Sequence, residues 1–180
     1  DRVGTLNEKQ RDFIQRVQVS VHNITSLVDD LLNLGRIEAG FDTRMETVQI
    51  DQVLRLSIES FQKQLGDRHQ QLSIDISEPL PMVLANPMQM RQVIDNLLDN
   101  ALKYTPDGGI ITVRAGVKQN QLIFQIIDTG IGIPSIDLPY IFDKFYRASN
   151  LGNTAAGSGL GLSIVKSIIE NHHGRIWVDS

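Results

Sequence analysis

The seam positions of the first forty residues fall at alternating steps of four and three: Phe13, Val17, Ser20, Ile24, Leu27, Leu31 and Leu34, with Ile14, Val21 and Val28 beside them every seven residues. That spacing predicts a bundle helix whose apolar face is too wide to leave in water. The segment is too short to close a core by itself, so the helix calls for partner helices. Gly35 and Gly40 are expected to end the helical region, and Phe41 to Glu46 read as a short linker.

From Val48 onward the pattern is mixed. A short apolar start, Val48 to Ile50, precedes a predicted helix from Asp51 to Leu65, with Leu54, Ile58, Phe61 and Leu65 on its buried side. Leu72 to Ile76 alternate as a strand, and Val83-Leu84 form a short one among Pro79, Pro81 and Pro87. Met90, Val93, Ile94, Leu97, Leu98 and Ala101 give Met88 to Tyr104 a helical period, with Asn86-Pro87 as its start. Ile110 to Val117 and Leu122 to Asp128 flank Lys118 to Gln121 as a hairpin would. A last helix is predicted over Leu160 to Asn171, and a last strand over Arg175 to Val178.

Composition narrows this picture. A chain of 180 residues accommodates one good core and a small appendage. With 41% hydrophobic and 21% charged residues, and neither a signal peptide nor a spanning apolar run, it reads as soluble. The absence of cysteine excludes disulfide scaffolds, thiolate zinc sites and cysteine nucleophiles. A formal charge of −4 argues against general nucleic-acid binding, which relies on a basic patch. Opening at Asp1 without methionine, the chain is expected to be a piece of something longer.

Four spaced segments carry the candidate chemistry. Asn96 and Asn100 stand four apart on a predicted helix, with Lys103 three further on, so two amide oxygens and an ammonium share one face. A neutral, hard amide oxygen can complete a magnesium shell otherwise made of water and phosphate, while the lysine balances phosphate charge. Tyr104 is placed to cover a base or sugar. Asp128 ends a strand, and Gly130 and Gly132 let the backbone turn close to a ligand. A carboxylate there can accept from an exocyclic amine and so select adenine over guanine. Phe142 to Arg147 form an aromatic and basic hinge. Gly157, Gly159 and Gly161 then open a helix continued by Leu162, Ile164 and Val165, where backbone amides and the helix dipole attract phosphate oxygens. This string is neither a dinucleotide fingerprint nor a P-loop, for it follows no strand and lacks Gly-Lys-Ser/Thr. Between the hinge and these glycines, Ala148 to Ala156 are mostly small and read as a mobile lid.

In order and spacing, the four segments resemble the N, G1, F and G2 boxes of the ATP-binding catalytic domain of sensor histidine kinases, within the wider group that includes gyrase and heat-shock chaperone ATPases. The likeness covers nearly all of residues 48 to 178. It implies a two-layer α/β sandwich, a mixed sheet covered by helices, preceded by the long bundle helix. It places Asn100 at the magnesium ion, Asn96, Asn100 and Lys103 at the phosphates, Asp128 at the adenine amine and Tyr104 beside the nucleoside. Phe142 and Phe145 would anchor the lid, and Arg147 would approach the γ-phosphate. Gly130, Gly132, Ile133, Gly157, Gly159, Leu160, Gly161 and Leu162 complete the implied ATP site. Asp29 to Leu34, followed by Arg36 to Gly40, resemble the second helix of the dimerisation and phosphoacceptor hairpin.

The domains implied are a partial dimerisation region at 1–40, a linker at 41–47 and an ATP-binding catalytic domain at 48–180. Two departures qualify the likeness. No phosphoacceptor histidine is expected here: His22 is followed by Asn23-Ile24-Thr25 and suits a solvated or bundle-edge position, while His172 and His173 suit the C-terminal dipole of the last helix. The chain also stops at Ser180, before the further strand the family adds, which leaves Trp177 as a core or edge aromatic. Asn96 stands where hydrolytic relatives carry a glutamate base, and an amide cannot take that proton. The expectation is a histidine kinase catalytic domain, with Asn96, Lys103 and Arg147 as catalytic residues, donating the ATP γ-phosphoryl to a histidine on a first hairpin helix outside this chain. ATP and magnesium are the implied ligands. A second protomer and a response-regulator receiver domain are the implied partners. The implied location is cytoplasmic, with membrane contact only through other parts of the parent. The alternatives are a related ATP-hydrolysing ATPase and a catalytically idle ATP-binding or dimerisation module.

Overall fold

The computed structural model describes residues 4, 6–41, 44–151 and 157–180, the side chains of residues 22 and 23 excepted. The His22 side chain and residues 152–156 of the expected lid lie outside that range.

The first helix, α1 (Glu8–Glu38), starts on a capping box in which the Asn7 side chain accepts the Gln10 N–H (2.9 Å) and the Gln10 side chain accepts the Asn7 N–H (3.0 Å). It runs through Gly35 and stops only at Gly40, so the earlier of the two expected stops is not used. Gly40 takes φ +70°, donating to the Ile37 carbonyl while Phe41 donates to that of Arg36, which closes a Schellman motif. Gly35 lacks that left-handed geometry, and a glycine with helical dihedrals weakens a helix without ending it.

Next come β1 (Glu46–Gln49), which begins inside the expected linker, and α2 (Ile50–Asp67). They are followed by β2 (Gln71–Ile76), β3 (Met82–Ala85), α3 (Pro87–Tyr104), β4 (Ile110–Lys118), β5 (Gln121–Asp128) and α4 (Gly161–Asn171). β1 and β3 form an antiparallel ribbon. β2, β4 and β5 form a mixed sheet in that order, β2 parallel to β4 and β4 antiparallel to β5. The hairpin turns at Gln119-Asn120, both with positive φ, as a two-residue loop of the primed type requires.

The helices cover this sheet in a two-layer α/β sandwich. Leu54 and Ile58 of α2, Val93, Ile94 and Leu98 of α3, Val113 and Ala115 of β4, and Ile164, Val165 and Ile168 of α4 meet in one core. Removing each of the valine, leucine and isoleucine side chains from water stabilises the fold by roughly 1.5–3 kcal/mol, and the Ala115 methyl by less. Leu34 and Ile37, at the end of α1, join that core at 2% and 3% exposure, whereas Phe13 (67%), Ile24 (63%) and Leu31 (47%) of the same seam face outward. The α1 terminus is tied to the rest of the fold by Asn171, whose side chain donates to the Ile37 carbonyl, and by Lys144 paired with Glu38 at 2.7 Å.

The strand expected over Arg175 to Val178 does not form. The segment makes no ladder with any described residue, and the mixed sheet of the described residues ends at β5. Side chains hold it instead: Ile176 packs against the core, and the Ser180 hydroxyl accepts the Ile133 N–H at 2.7 Å. Trp177 stays half exposed.

Candidate functional site: an open cleft along the third helix

α3 is pinned at both ends. At its start the Asn86 side chain accepts the Gln89 N–H (3.0 Å), and Pro87 occupies a first-turn position that needs no donor. The Asn86 N–H donates to Nε2 of His172 (3.0 Å), while Nδ1 of that ring lies 2.7 Å from the Ile168 carbonyl. A carbonyl only accepts and an N–H only donates, so this ring carries its proton on Nδ1 and braces α3 against α4. At the far end the Gln70 side chain donates to the carbonyls of Leu102 (3.0 Å) and Thr105 (2.7 Å), and Arg68 also donates to Leu102. The carbonyls that a helix end leaves unsatisfied are thereby used, and the last turn, which carries Lys103 and Tyr104, is fixed in place.

Three loops approach the face of α3 that carries Asn96, Asn100, Lys103 and Tyr104. The first follows β5. Asp128 Oδ1 accepts the Gly130 N–H at 2.9 Å, and the Ile131 N–H reaches the Tyr104 carbonyl at 3.3 Å. A Cβ on Gly130 would stand 2.5 Å from Asp128 Oδ1 and 2.7 Å from the Tyr104 oxygen, so a side chain has no room there. The second loop is the glycine string. A Cβ at Gly157 would lie 2.8 Å from Lys103 Nζ, and one at Gly161 would lie 3.9 Å from the Asn96 amide, which places the string along α3 from the lysine to the asparagine. Ser158 donates its hydroxyl to Asp30 of α1 at 2.9 Å.

The third is the hinge. Phe145 takes a left-handed φ of 64° and donates its N–H to the Gly159 carbonyl at 3.0 Å. Gly159, with φ +71°, sits so close that a Cβ would fall 2.7 Å from the Phe145 carbonyl carbon. Hinge and glycine string are thus packed backbone to backbone. Phe142 is half-buried and Phe145 is mostly exposed.

Electrostatics agree with the geometry. Burial pushes Lys103 below its ordinary value of 10.5, with Asp99 opposing and the Arg147 cation adding to the shift. Burial raises Tyr104, against the pull of Arg147. The two cations therefore feel each other across the cleft, an arrangement that favours a bound anion. Lys103 Nζ also lies 5.5 Å from the centre of the Tyr104 ring. The Asn96 side-chain nitrogen is buried and has no hydrogen-bond partner among the described residues. Among the described residues no group of three His, Cys, Asp or Glu side chains could hold a metal alone. The amide donors on α3 suit a magnesium ion that arrives with phosphate oxygens and keeps water ligands. Two hollows, of about 410 Å³ beside Leu6 and Phe13 and about 490 Å³ between Pro79 and Leu122, share no residue with this cleft.

One element of the site had no signal in the sequence. Asp137, 3% exposed, accepts hydrogen bonds from the Tyr146 hydroxyl (2.7 Å), the Ser149 N–H (2.7 Å) and the Ser149 hydroxyl (2.8 Å). Those bonds, the Tyr146 one first, hold its carboxyl below the usual carboxylate value. Asp137 precedes Leu138-Pro139 in a stretch without periodicity, where an acid reads as a solvated loop residue.

The fold and cleft define a nucleotide-binding α/β domain. Residues 85–180 match the family described as histidine kinase-, DNA gyrase B- and HSP90-like ATPases, and the chain belongs to that family. Within it, the domain is the ATP-binding catalytic domain of two-component kinases, as its relatives indicate. The adaptive-response sensory kinase SasA of Nostoc sp. is 37% identical over 174 residues, covering 94% of this chain and 42% of that protein. The sensor histidine kinase WalK of Bacillus subtilis is 33% identical over 172 residues, covering 93% of this chain and 28% of WalK. The chain thus spans less than half of either relative. Among solved structures, full-length ShkA in complex with AMPPNP superposes with a TM-score of 0.75 at 27% identity, over 93% of this chain and 35% of ShkA. ATP binding accords with the family and with that complex. Among the described residues no helix is long and apolar enough to cross a membrane.

Proposed function

We propose that this chain is the phosphoryl donor half of a sensor histidine kinase: it holds magnesium ATP in the α3 cleft and passes the γ-phosphoryl to a histidine on a first hairpin helix outside the chain. The observation that carries this reading is the convergence of Lys103, Tyr104 and Arg147 at the C-terminal end of α3, with an amide, Asn96, about two turns earlier on the same helix. Adenine lies against Asp128, with Gly130, Gly132 and Ile133 shaping its pocket. The phosphates run along α3 toward Asn96, Asn100 and Lys103, under the backbone of Gly157, Gly159, Leu160, Gly161 and Leu162. Phe142 and Phe145 anchor the hinge that presents Arg147 to the γ-phosphate. Magnesium, held by Asn100, neutralises phosphate charge when bound. The chain's own contribution is positioning and charge neutralisation by fixed groups, the usual route in phosphoryl transfer.

Asn96 separates this reading from a hydrolytic ATPase. It faces the start of α4, and no carboxylate stands in its place to take a proton from water. The parent then carries a second protomer, packed on the outward seam of α1, and delivers the phosphoryl to a receiver-domain aspartate in the cytoplasm. The test is to compare ATP turnover of the native chain with that of Asn96→Glu, alongside ATP titrations with and without magnesium. The native chain is expected to bind ATP in a magnesium-dependent way and to hydrolyse it more slowly than the variant. Equal turnover would sink the assigned role of Asn96; a catalytically idle ATP-binding module would instead bind ATP yet support no phosphotransfer in a longer chain that carries the first hairpin helix.

A further inference from the structure

Arg147 sits in a backbone segment that is fixed on both sides. Before it, Phe145 holds a left-handed conformation of the kind that persists only where the surroundings over-determine it, and the Gly159 backbone packed against it does so. Around it, Tyr146 and Ser149 both donate to one buried carboxylate, Asp137. Three donors on two oxygens leave that acid little freedom, and the residues it grips bracket Arg147 in sequence. The Tyr146 ring also packs on Tyr140 at 5.6 Å between centres. Nothing in the nucleotide reading uses Asp137, which lies outside the four segments.

We infer that Asp137 is the positioning residue for Arg147: through Tyr146 and Ser149 it clasps the segment so that the guanidinium faces Lys103 and Tyr104 across the cleft. This rests on the reading of Arg147 as the group that meets the γ-phosphate. Asp137 touches no ligand itself. Its effect is confined to what Arg147 senses, the terminal phosphate, and leaves the adenine, ribose and α-phosphate contacts alone.

The experiment measures affinities for ATP and for ADP, with magnesium, in the 180-residue chain and in Arg147→Ala, Asp137→Asn, Tyr146→Phe and the double variant Asp137→Asn/Arg147→Ala. Asparagine in place of Asp137 cannot satisfy all three donors, and it is expected to weaken ATP binding roughly tenfold, as loss of a charged anchor does, with ADP binding nearly unchanged. Tyr146→Phe removes one of the three bonds and should give a smaller loss of the same kind. Because the clasp acts through Arg147, the double variant should discriminate between the nucleotides no worse than Arg147→Ala alone. A parallel fall in ATP and ADP affinity, or an additive double variant, overturns the inference in favour of a purely structural acid. If Asp137→Asn does not fold, Tyr146→Phe decides by the same two readouts. Arg147→Ala with native preference for ATP would instead refute the reading of Arg147, and a native chain that binds neither nucleotide would refute the site.

Discussion

Replacing Asp128 in two ways separates its structural bond from its proposed ligand bond. Its Oδ1 accepts the Gly130 N–H at 2.9 Å, which holds the turn after β5, while Oδ2 makes no hydrogen bond among the described residues and is available to an exocyclic amine. A hydrogen bond to a charged group contributes about 1.5–3 kcal/mol. At 1.4 kcal/mol per tenfold, Asp128→Ala should weaken ATP binding roughly 10- to 140-fold. The same change also removes the turn bond, which is exposed to water, so that its loss costs only about 0.5–1.5 kcal/mol of stability. Asp128→Asn behaves differently: its amide oxygen can still accept from Gly130, while its NH2 opposes the adenine amine donor to donor. The asparagine variant should melt like the native chain and bind ATP at least as weakly as the alanine variant. It should also shift preference toward GTP, whose ring carbonyl accepts where adenine donates. Calorimetric titration with ATP and GTP, paired with thermal melts, reads both effects. Native-like ATP affinity in either variant, or an asparagine variant that still prefers ATP over GTP as strongly as the native chain, would refute the placement of adenine at Asp128.

Two further outcomes follow from the same geometry. Gly159→Ala puts a residue with φ +71° into the left-handed region and a Cβ 2.7 Å from the Phe145 backbone, so denaturant melts should show destabilisation of roughly 2 kcal/mol or more and ATP titrations a loss of affinity. Lys103→Met should raise the melting temperature of the nucleotide-free chain at neutral pH and lower ATP affinity: a lysine whose folded pKa lies below its unfolded one disfavours the fold while it is charged, and that penalty fades only as pH rises through the folded value toward 10.5. Melts of the native chain and of this variant, with and without ATP, check both signs; a variant less stable than the native chain at neutral pH would contradict the first.

The parts of the fold that could be read from the sequence are those fixed by local pattern. α3 buries Met90, Val93, Ile94, Leu98 and Ala101, five of the positions its period marked, because a 3.6-residue repeat and a Pro at the first turn are strong local signals. The hairpin of β4 and β5 was equally plain, and its turn residues Gln119-Asn120 lie at the centre of the expected connection. Gly35 misled because composition marks a stop while dihedrals decide it, and only Gly40 is left-handed. The last strand misled because alternation says that a segment can pair, not that a partner edge receives it. Arg175 to Val178 have the residues of a strand without the ladder.

What the sequence concealed is contact between distant segments. Asp137 and Ser149 are twelve apart, and Ser158 and Asp30 are 128 apart; no period links either pair. The seam of α1 illustrates the limit most clearly. Leu34 belongs to the same four-three repeat as Phe13, Ile24 and Leu31, so the pattern gives all four one face, yet Leu34 is buried in the catalytic core with Ile37 while the others stay exposed. One helix therefore faces two environments, and the change falls where Asp30 and Glu38 reach the glycine string and the hinge, at Ser158 and Lys144. The Lys144–Glu38 pair is about half exposed at both ends and contributes little by itself, within about 1 kcal/mol. Burial of Leu34 and Ile37, at roughly 1.5–3 kcal/mol each, is what seats the helix. The polar contacts then set its rotation, because apolar packing is non-directional and a hydrogen bond is not.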